Sequence, residues 1–149
     1  VIAISPRPVG RNWNTVSFPS TLYLIPILDL LLTKVPTQLK AEIRLGLQEA
    51  LVNAAKHGNN LDPGKKVLVQ FSAIADEYWW VISDQGDGFE PPEGCEDSIE
   101  KHLPCDEWEC GRGLFILHQI FDHVQWNAEG TELKLCKQVR HVSRFPLVH

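Results

Sequence analysis

The chain has 149 residues, 44% of them hydrophobic and 22% charged, with a formal net charge of −5. That length holds one domain with a buried core, and an acidic balance without a basic cluster excludes a general nucleic-acid binder. The longest apolar run, Leu22 to Leu32, is broken by Pro26 and Asp29 and falls short of a membrane span.

Residues 1–11 (VIAISPRPVGR) carry prolines, arginines and a glycine and read as a loose lead-in without a secretory-signal pattern. Alternation over Asn12 to Phe18 predicts a first strand. Pro19-Ser20-Thr21 then starts a helix, with Ser20 as the candidate N-cap. The helix over 21–35 (TLYLIPILDLLLTKV) is apolar nearly all round. It is either deeply buried or covers a partner, and Pro26 kinks it or marks its first turn. Pro36 separates it from a second helix, Thr37 to His57. There Ile43, Leu47, Ala50, Leu51 and Ala54 share one face as a core stripe, and Glu42, Glu49, Asn53 and Lys56 share the opposite one. A polar helix face is usually plain surface. Glu49 and Asn53, however, stand at i and i+4, so a carboxylate and an amide oxygen point at one place. Oxygens of this kind suit Mg²⁺, whose shell is completed by phosphates and water.

Asn59 to Lys66 (NNLDPGKK) is a turn by composition. Val67 to Ala75 and Tyr78 to Ser83 form an antiparallel hairpin joined at Asp76-Glu77. Trp79 and Trp80 occupy consecutive strand positions, so one faces the core and the other faces out or into an interface. Periodicity is lost from Glu90 to Cys110, a long loop of the kind that in compact domains is functional or disordered. Gly111 to Phe121 is a glycine-rich turn running into a helix. His123 to Ala128 and Thr131 to Lys137 make a last hairpin around Glu129-Gly130, and 138–149 is a tail.

Asp84-Gln85-Gly86-Asp87-Gly88-Phe89 follows directly on a strand. Taken alone it is a tight turn. A calcium loop needs an acid at the third position, where Gly86 stands. A carboxylate at a strand end can instead accept a hydrogen bond from an amine such as adenine N6, while the glycines let backbone pass close to a planar base. Gly111-Arg112-Gly113-Leu114 is either a hinge or a phosphate cradle, since a helix N-terminus offers unpaired N–H groups and a favourable dipole. It is neither a P-loop nor a dinucleotide fingerprint, and the strands come as hairpins rather than βα repeats. Cys95, His102, Cys105 and Cys110 match no ordinary zinc spacing. The three cysteines there, with Cys136 elsewhere, are expected to be reduced thiols of a cytoplasmic protein.

The ordered set is far more specific than its parts. Glu49-x-x-x-Asn53-x-x-Lys56-His57-Gly58, Asp84-x-Gly86-x-Gly88-Phe89, Gly111-x-Gly113-Leu114 and Gly130-Thr131 follow one another in that order. This resembles the N, G1 and G2 boxes of the GHKL (histidine kinase-like) ATPase superfamily. Within it, the short chain and its N box are similar to the serine kinase/anti-sigma factors of the RsbW type. The resemblance covers about residues 12–137 of a single domain.

It implies a two-layer α/β sandwich, the Bergerat fold, with a mixed, mostly antiparallel sheet and helices on one face. It implies ATP and Mg²⁺ as ligands. Glu49 would be the general base, Asn53 the Mg²⁺ ligand, and Lys56 a neutraliser of phosphate charge. Asp84 would bind the adenine amine, with Gly86, Gly88 and Thr131 around the base. Gly111, Arg112, Gly113 and Leu114 would line the phosphates, and 90–110 would be the lid. The implied protein is a cytoplasmic homodimer that holds a sigma factor and phosphorylates a serine on a STAS-domain anti-anti-sigma antagonist. The alternative is an ATP-gated binding module with little or no kinase activity; Glu49 favours the enzyme, because a pure binding module needs no base there. The chain departs from the family in its cysteine-rich, acidic lid and its unusually apolar first helix, which bear on partner identity.

Overall fold

The computed structural model describes residues 12–87 and 109–139, with backbone alone over 109–112. In chain order the elements are β1 (Asn14–Pro19), α1 (Ile25–Leu31), α2 (Thr37–Val52), a π-helical turn (Asn53–Gly58), β2 (Lys66–Ile74), β3 (Glu77–Ser83), α3 (Glu109–Ile120), β4 (His123–Trp126) and β5 (Glu132–Gln138). The strands form one sheet in the order β1-β2-β3-β5-β4. Every pairing among them is antiparallel, so the described sheet has no parallel member.

The sheet buries the face that the strand alternation selects. Phe18 on β1, Val67 and Val69 on β2, Tyr78, Trp80 and Ile82 on β3, and Leu133 and Leu135 on β5 all join the core. The helices cover that face. Ile43, Leu47, Ala50, Leu51 and Ala54, the predicted stripe, are all buried in it, together with Leu117, Ile120 and Phe121 from α3 and its end. The result is the expected two-layer α/β sandwich. Trp80 lies in the core with its ring edge-on to Phe121, 5.7 Å between centroids. Its indole N–H donates to the Leu31 carbonyl at 3.3 Å, which ties α1 to the sheet. Trp79 points the other way, half-buried, and its indole N–H donates to Glu77 at 2.6 Å.

The hairpin of β2 and β3 turns at Ala75-Asp76, one residue earlier than expected. Both have positive φ, 53° and 62°, the geometry of a type I′ turn that matches strand twist. The first helix is shorter than its apolar run. It begins at Ile25 with Pro26 in its first turn, and Leu24 rather than Ser20 is its N-cap, without a side-chain capping bond. Ser20 instead donates its hydroxyl to the Lys65 carbonyl at 2.9 Å, across the chain rather than along it. Burial in α1 is one-sided: Leu28 and Leu31 are core, while Leu22, Tyr23, Ile25 and Leu30 are exposed in or just before it. The third helix starts at Glu109, so Gly111 and Gly113 lie inside its first turns and not in a turn before it. Gly88 and most of the expected lid, with Cys95, His102 and Cys105, lie outside the described residues, as does the side chain of Cys110. Among the described residues no helix is long and apolar enough to cross a membrane.

Candidate active site

The site is assembled where the C-terminal half of α2 meets α3 and the loop after β3. Small residues let the two helices approach closely. A Cβ on Gly46 would lie 2.5 Å from the Phe121 ring, so that contact requires the absence of a side chain. Two turns further along, Gly113 of α3 faces the polar side of α2. A Cβ there would stand 3.0 Å from Asn53 Nδ2 and 3.4 Å from Glu49 Oε2. Glu49 and Asn53 are both half-buried. The polar face of α2 is therefore an internal seam, and the carboxylate and amide converge on one point beside the G2 glycine. Asn53 can offer a hard cation its amide oxygen once a flip of the terminal torsion brings that oxygen forward, and the Glu49 carboxylate beside it is left to take a proton.

Beyond Asn53 the helix widens into the π turn, a feature often found at functional sites. Asn59 N–H closes it onto the Ala54 carbonyl at 2.9 Å. Asn60 and Leu61 then take left-handed backbone, φ 53° and 55°, which ends the helix. The widened turn brings Gly58 against the loop after β3. The Asp84 carboxylate occupies the space that a Gly58 side chain would need, and Gly86 packs directly on the Gly58 carbonyl. Only glycine at both positions permits this contact.

Between these elements lies a slot of about 180 Å³ lined by Ala50, Asn53, Ala54, His57, Gly58, Ile82, Asp84, Leu114, Trp126 and Leu133. Its walls are apolar, with Asn53, His57 and Asp84 as the polar groups. It suits one planar ring system, being smaller than the roughly 300–1,000 Å³ that accepts a whole drug-sized ligand. Asp84 is held from several sides. Its backbone N–H donates to the Thr131 carbonyl at 2.9 Å, and its Oδ1 accepts the Gly86 N–H at 2.9 Å. Burial raises the Asp84 pKa above the ordinary carboxylate value, while the Gly86 hydrogen bond and the Lys65 charge lower it in part.

Thus Glu49, Asn53, Gly113, Leu114, Asp84 and Gly86 come together, as the motif order requires. Thr131 reaches the site through its backbone, and its hydroxyl accepts from Asn127 at 3.0 Å. His57 lines the slot, with the half-buried Lys56 beside it in the π turn. Gly111 and Arg112 sit in the opening turns of α3, where only their backbone is described. Sequence reasoning missed the slot's hydrophobic walls, Ile82, Trp126 and Leu133, and two asparagines. Asn127 Oδ1 accepts the N–H groups of Thr131 and Glu132, at 2.9 and 3.1 Å, and so shapes the last hairpin. An asparagine just ahead of a Gly-Thr turn was the available signal.

Gly86→Ala is expected to weaken adenine-nucleotide binding at least tenfold. The added methyl overlaps the Gly58 carbonyl, and backbone cannot swing aside as a side chain could, so the loop carrying Asp84 must move. Overpacking of this kind also costs about 1–3 kcal/mol of stability. Calorimetric titration and urea denaturation measure the two effects; unchanged binding would show that the Gly58–Gly86 contact has no part in the site.

Known proteins are similar to part of this chain. The matched stretch is 26% identical over 87 residues to the serine-protein kinase RsbW of Bacillus licheniformis, covering 56% of this chain and 54% of that one. A second RsbW, from Bacillus velezensis, matches to the same extent. An anti-sigma F factor of Clostridium perfringens is 27% identical over 101 residues, 66% of this chain and 71% of that protein. The chain thus spans about half the length of the Bacillus relatives. Residues 29–137, from α1 to the end of β5, match the histidine kinase-like ATPase domain, and the chain belongs to that family.

Proposed function

We propose that this chain is a Mg²⁺- and ATP-dependent protein serine kinase that also acts as an anti-sigma factor. One observation carries the reading: a single slot is lined by both Asp84 and Asn53, with Glu49 one helical turn before Asn53 and facing Gly113. A purine enters between Ile82, Leu114, Trp126 and Leu133, and Asp84 accepts a hydrogen bond from its amine. Gly86 and Gly88 let the loop backbone lie against the ring, with Thr131 behind it. The triphosphate then runs toward α3, where Gly111, Arg112 and Gly113 line it and Lys56 adds positive charge. Asn53 would hold Mg²⁺, which would neutralise charge on the phosphates. Glu49 accepts the proton of a serine hydroxyl as its oxygen bonds to the γ-phosphorus and the bond to the ADP oxygen breaks.

The names of the relatives support the wider role: a serine kinase in one group, an anti-sigma factor in the other. On that footing the partners are a sigma factor and a STAS-domain antagonist that carries the acceptor serine. The protein works as a cytoplasmic homodimer. Incubation with a STAS-domain protein and γ-labelled ATP is expected to move label onto the antagonist in a Mg²⁺-dependent way. Tight ATP binding and sigma-factor capture without any transfer would instead identify a nucleotide-gated binding module.

A further inference from the structure

We propose that Asn59 is a positioning residue for base selection: it clamps the loop after β3 so that the Asp84 carboxylate faces the slot. The inference rests on the nucleotide reading given above.

Asn59 is polar yet 0% exposed. Burying an amide is unfavourable unless its donors and acceptor are paired, and here they are. Asn59 Nδ2 donates to Ser20 Oγ at 2.9 Å and to the Lys66 carbonyl at 3.0 Å. Those bonds join the end of β1 and the start of β2 and serve the fold. The third bond is different. Asn59 Oδ1 accepts the N–H of Gln85 at 2.7 Å. Gln85 directly follows Asp84, just as Asn59 directly follows Gly58, the residue whose Cα faces the Asp84 carboxylate. The amide therefore pins the base-reading loop to the N box one residue beyond the point where the two touch. A second bond works from the same turn: the Lys66 N–H donates to Gln85 Oε1 at 2.6 Å. On its other flank the loop is tied by the Asp84 N–H to the Thr131 carbonyl. Without Asn59 the loop keeps that flank and can rotate about it, which moves the carboxylate off the line to an exocyclic amine.

A purely structural asparagine would, when removed, weaken every nucleotide alike. A positioning one would weaken only those that present the amine. The test compares ATP with purine riboside 5′-triphosphate, which lacks the amine, by calorimetric titration of the full chain with Mg²⁺. The parent protein should prefer ATP about tenfold, the usual worth of one such hydrogen bond. Asn59→Ala should lose about tenfold in ATP affinity with less than a twofold change for the analogue, as Asp84→Asn should. Equal weakening of both ligands, or no change in either, overturns the inference. A preference lost in Asp84→Asn but kept in Asn59→Ala overturns it alone and leaves the Asp84 reading standing. A parent protein without preference removes both. If Asn59→Ala does not fold, Asn59→Ser decides, because a hydroxyl keeps a polar group beside Ser20 and Lys66 but is too short to hold the Gln85 N–H. A selective loss of ATP affinity by severalfold supports the clamp, and any unselective result overturns it.

Discussion

Glu49→Gln is expected to lower phosphate transfer about 10²–10⁴-fold, the usual worth of a general base, while ATP affinity changes little. The substitution keeps the shape of the side chain and its place on α2, one turn before Asn53. It removes the carboxylate's capacity to take a proton. The slot is lined by Asn53 and Asp84 but not by Glu49, so a base bound there would not touch this group. Glu49 meets the seam at Gly113 instead, on the side toward which the phosphates would run. Binding of a sigma factor should persist in the variant. Asn53→Ala, in contrast, should lose Mg²⁺-dependent nucleotide binding itself. Single-turnover transfer with labelled ATP, set beside titrated affinities, separates the two effects. Transfer at the parental rate in Glu49→Gln would make that residue part of the helix's polar surface only.

Asp84→Asn is expected to weaken ATP about tenfold or somewhat more, because hydrogen bonds to charged groups are among the stronger ones and the amide can turn its donor end to the adenine amine. The same change should leave the nucleotide-free fold at least as stable at neutral pH. Burial raises the Asp84 pKa, so the folded chain binds that proton more tightly than the unfolded chain does. The contribution to stability is fully present below the unfolded value of about 3.9 and is lost as pH rises through the raised folded value. At neutral pH the folded protein therefore carries an unfavourable buried charge, relieved in part by Lys65 and the Gly86 N–H. Asparagine removes the charge and can still accept the Gly86 N–H. Thermal midpoints without nucleotide should place the variant level with or above the parent at pH 7, with the gap closing toward pH 4. A variant that binds ATP as tightly as the parent would contradict the role given to Asp84.

Much of this arrangement was legible in the sequence, for a definite reason. The core stripe of α2 and the polar pair Glu49 and Asn53 follow from a helical period, and the hairpins follow from alternation and turn residues. Those signals are local. The loss at Ser20 shows the limit. A serine after proline and before an apolar run has the composition of an N-cap, but a tertiary bond to Lys65 and Asn59 claims its hydroxyl instead. Asn59 lies in a stretch that composition marks only as a turn. Its partners Ser20 and Gln85 are 39 and 26 residues away, and no local pattern reports such distances. The π turn was equally invisible, because one extra residue in a helical turn leaves the polar and apolar order around Asn53 almost unchanged. Thr131 was placed beside the base through its Gly-Thr motif, whereas it supports the site with a carbonyl, a group that every residue carries. The apolar walls of the slot came from strand residues whose side chains read simply as core.

The nucleotide role of the slot depends on whether it takes adenine nucleotides and reads their amine. Thermal denaturation of the full chain with Mg²⁺ and either ATP or GTP measures this. ATP at 100 times its Kd should stabilise the fold by about 2.7 kcal/mol. GTP at the same concentration should do far less, because guanine sets a carbonyl oxygen against Asp84 where adenine sets a donor. No shift with any adenine nucleotide, or equal shifts with ATP and GTP, would contradict it.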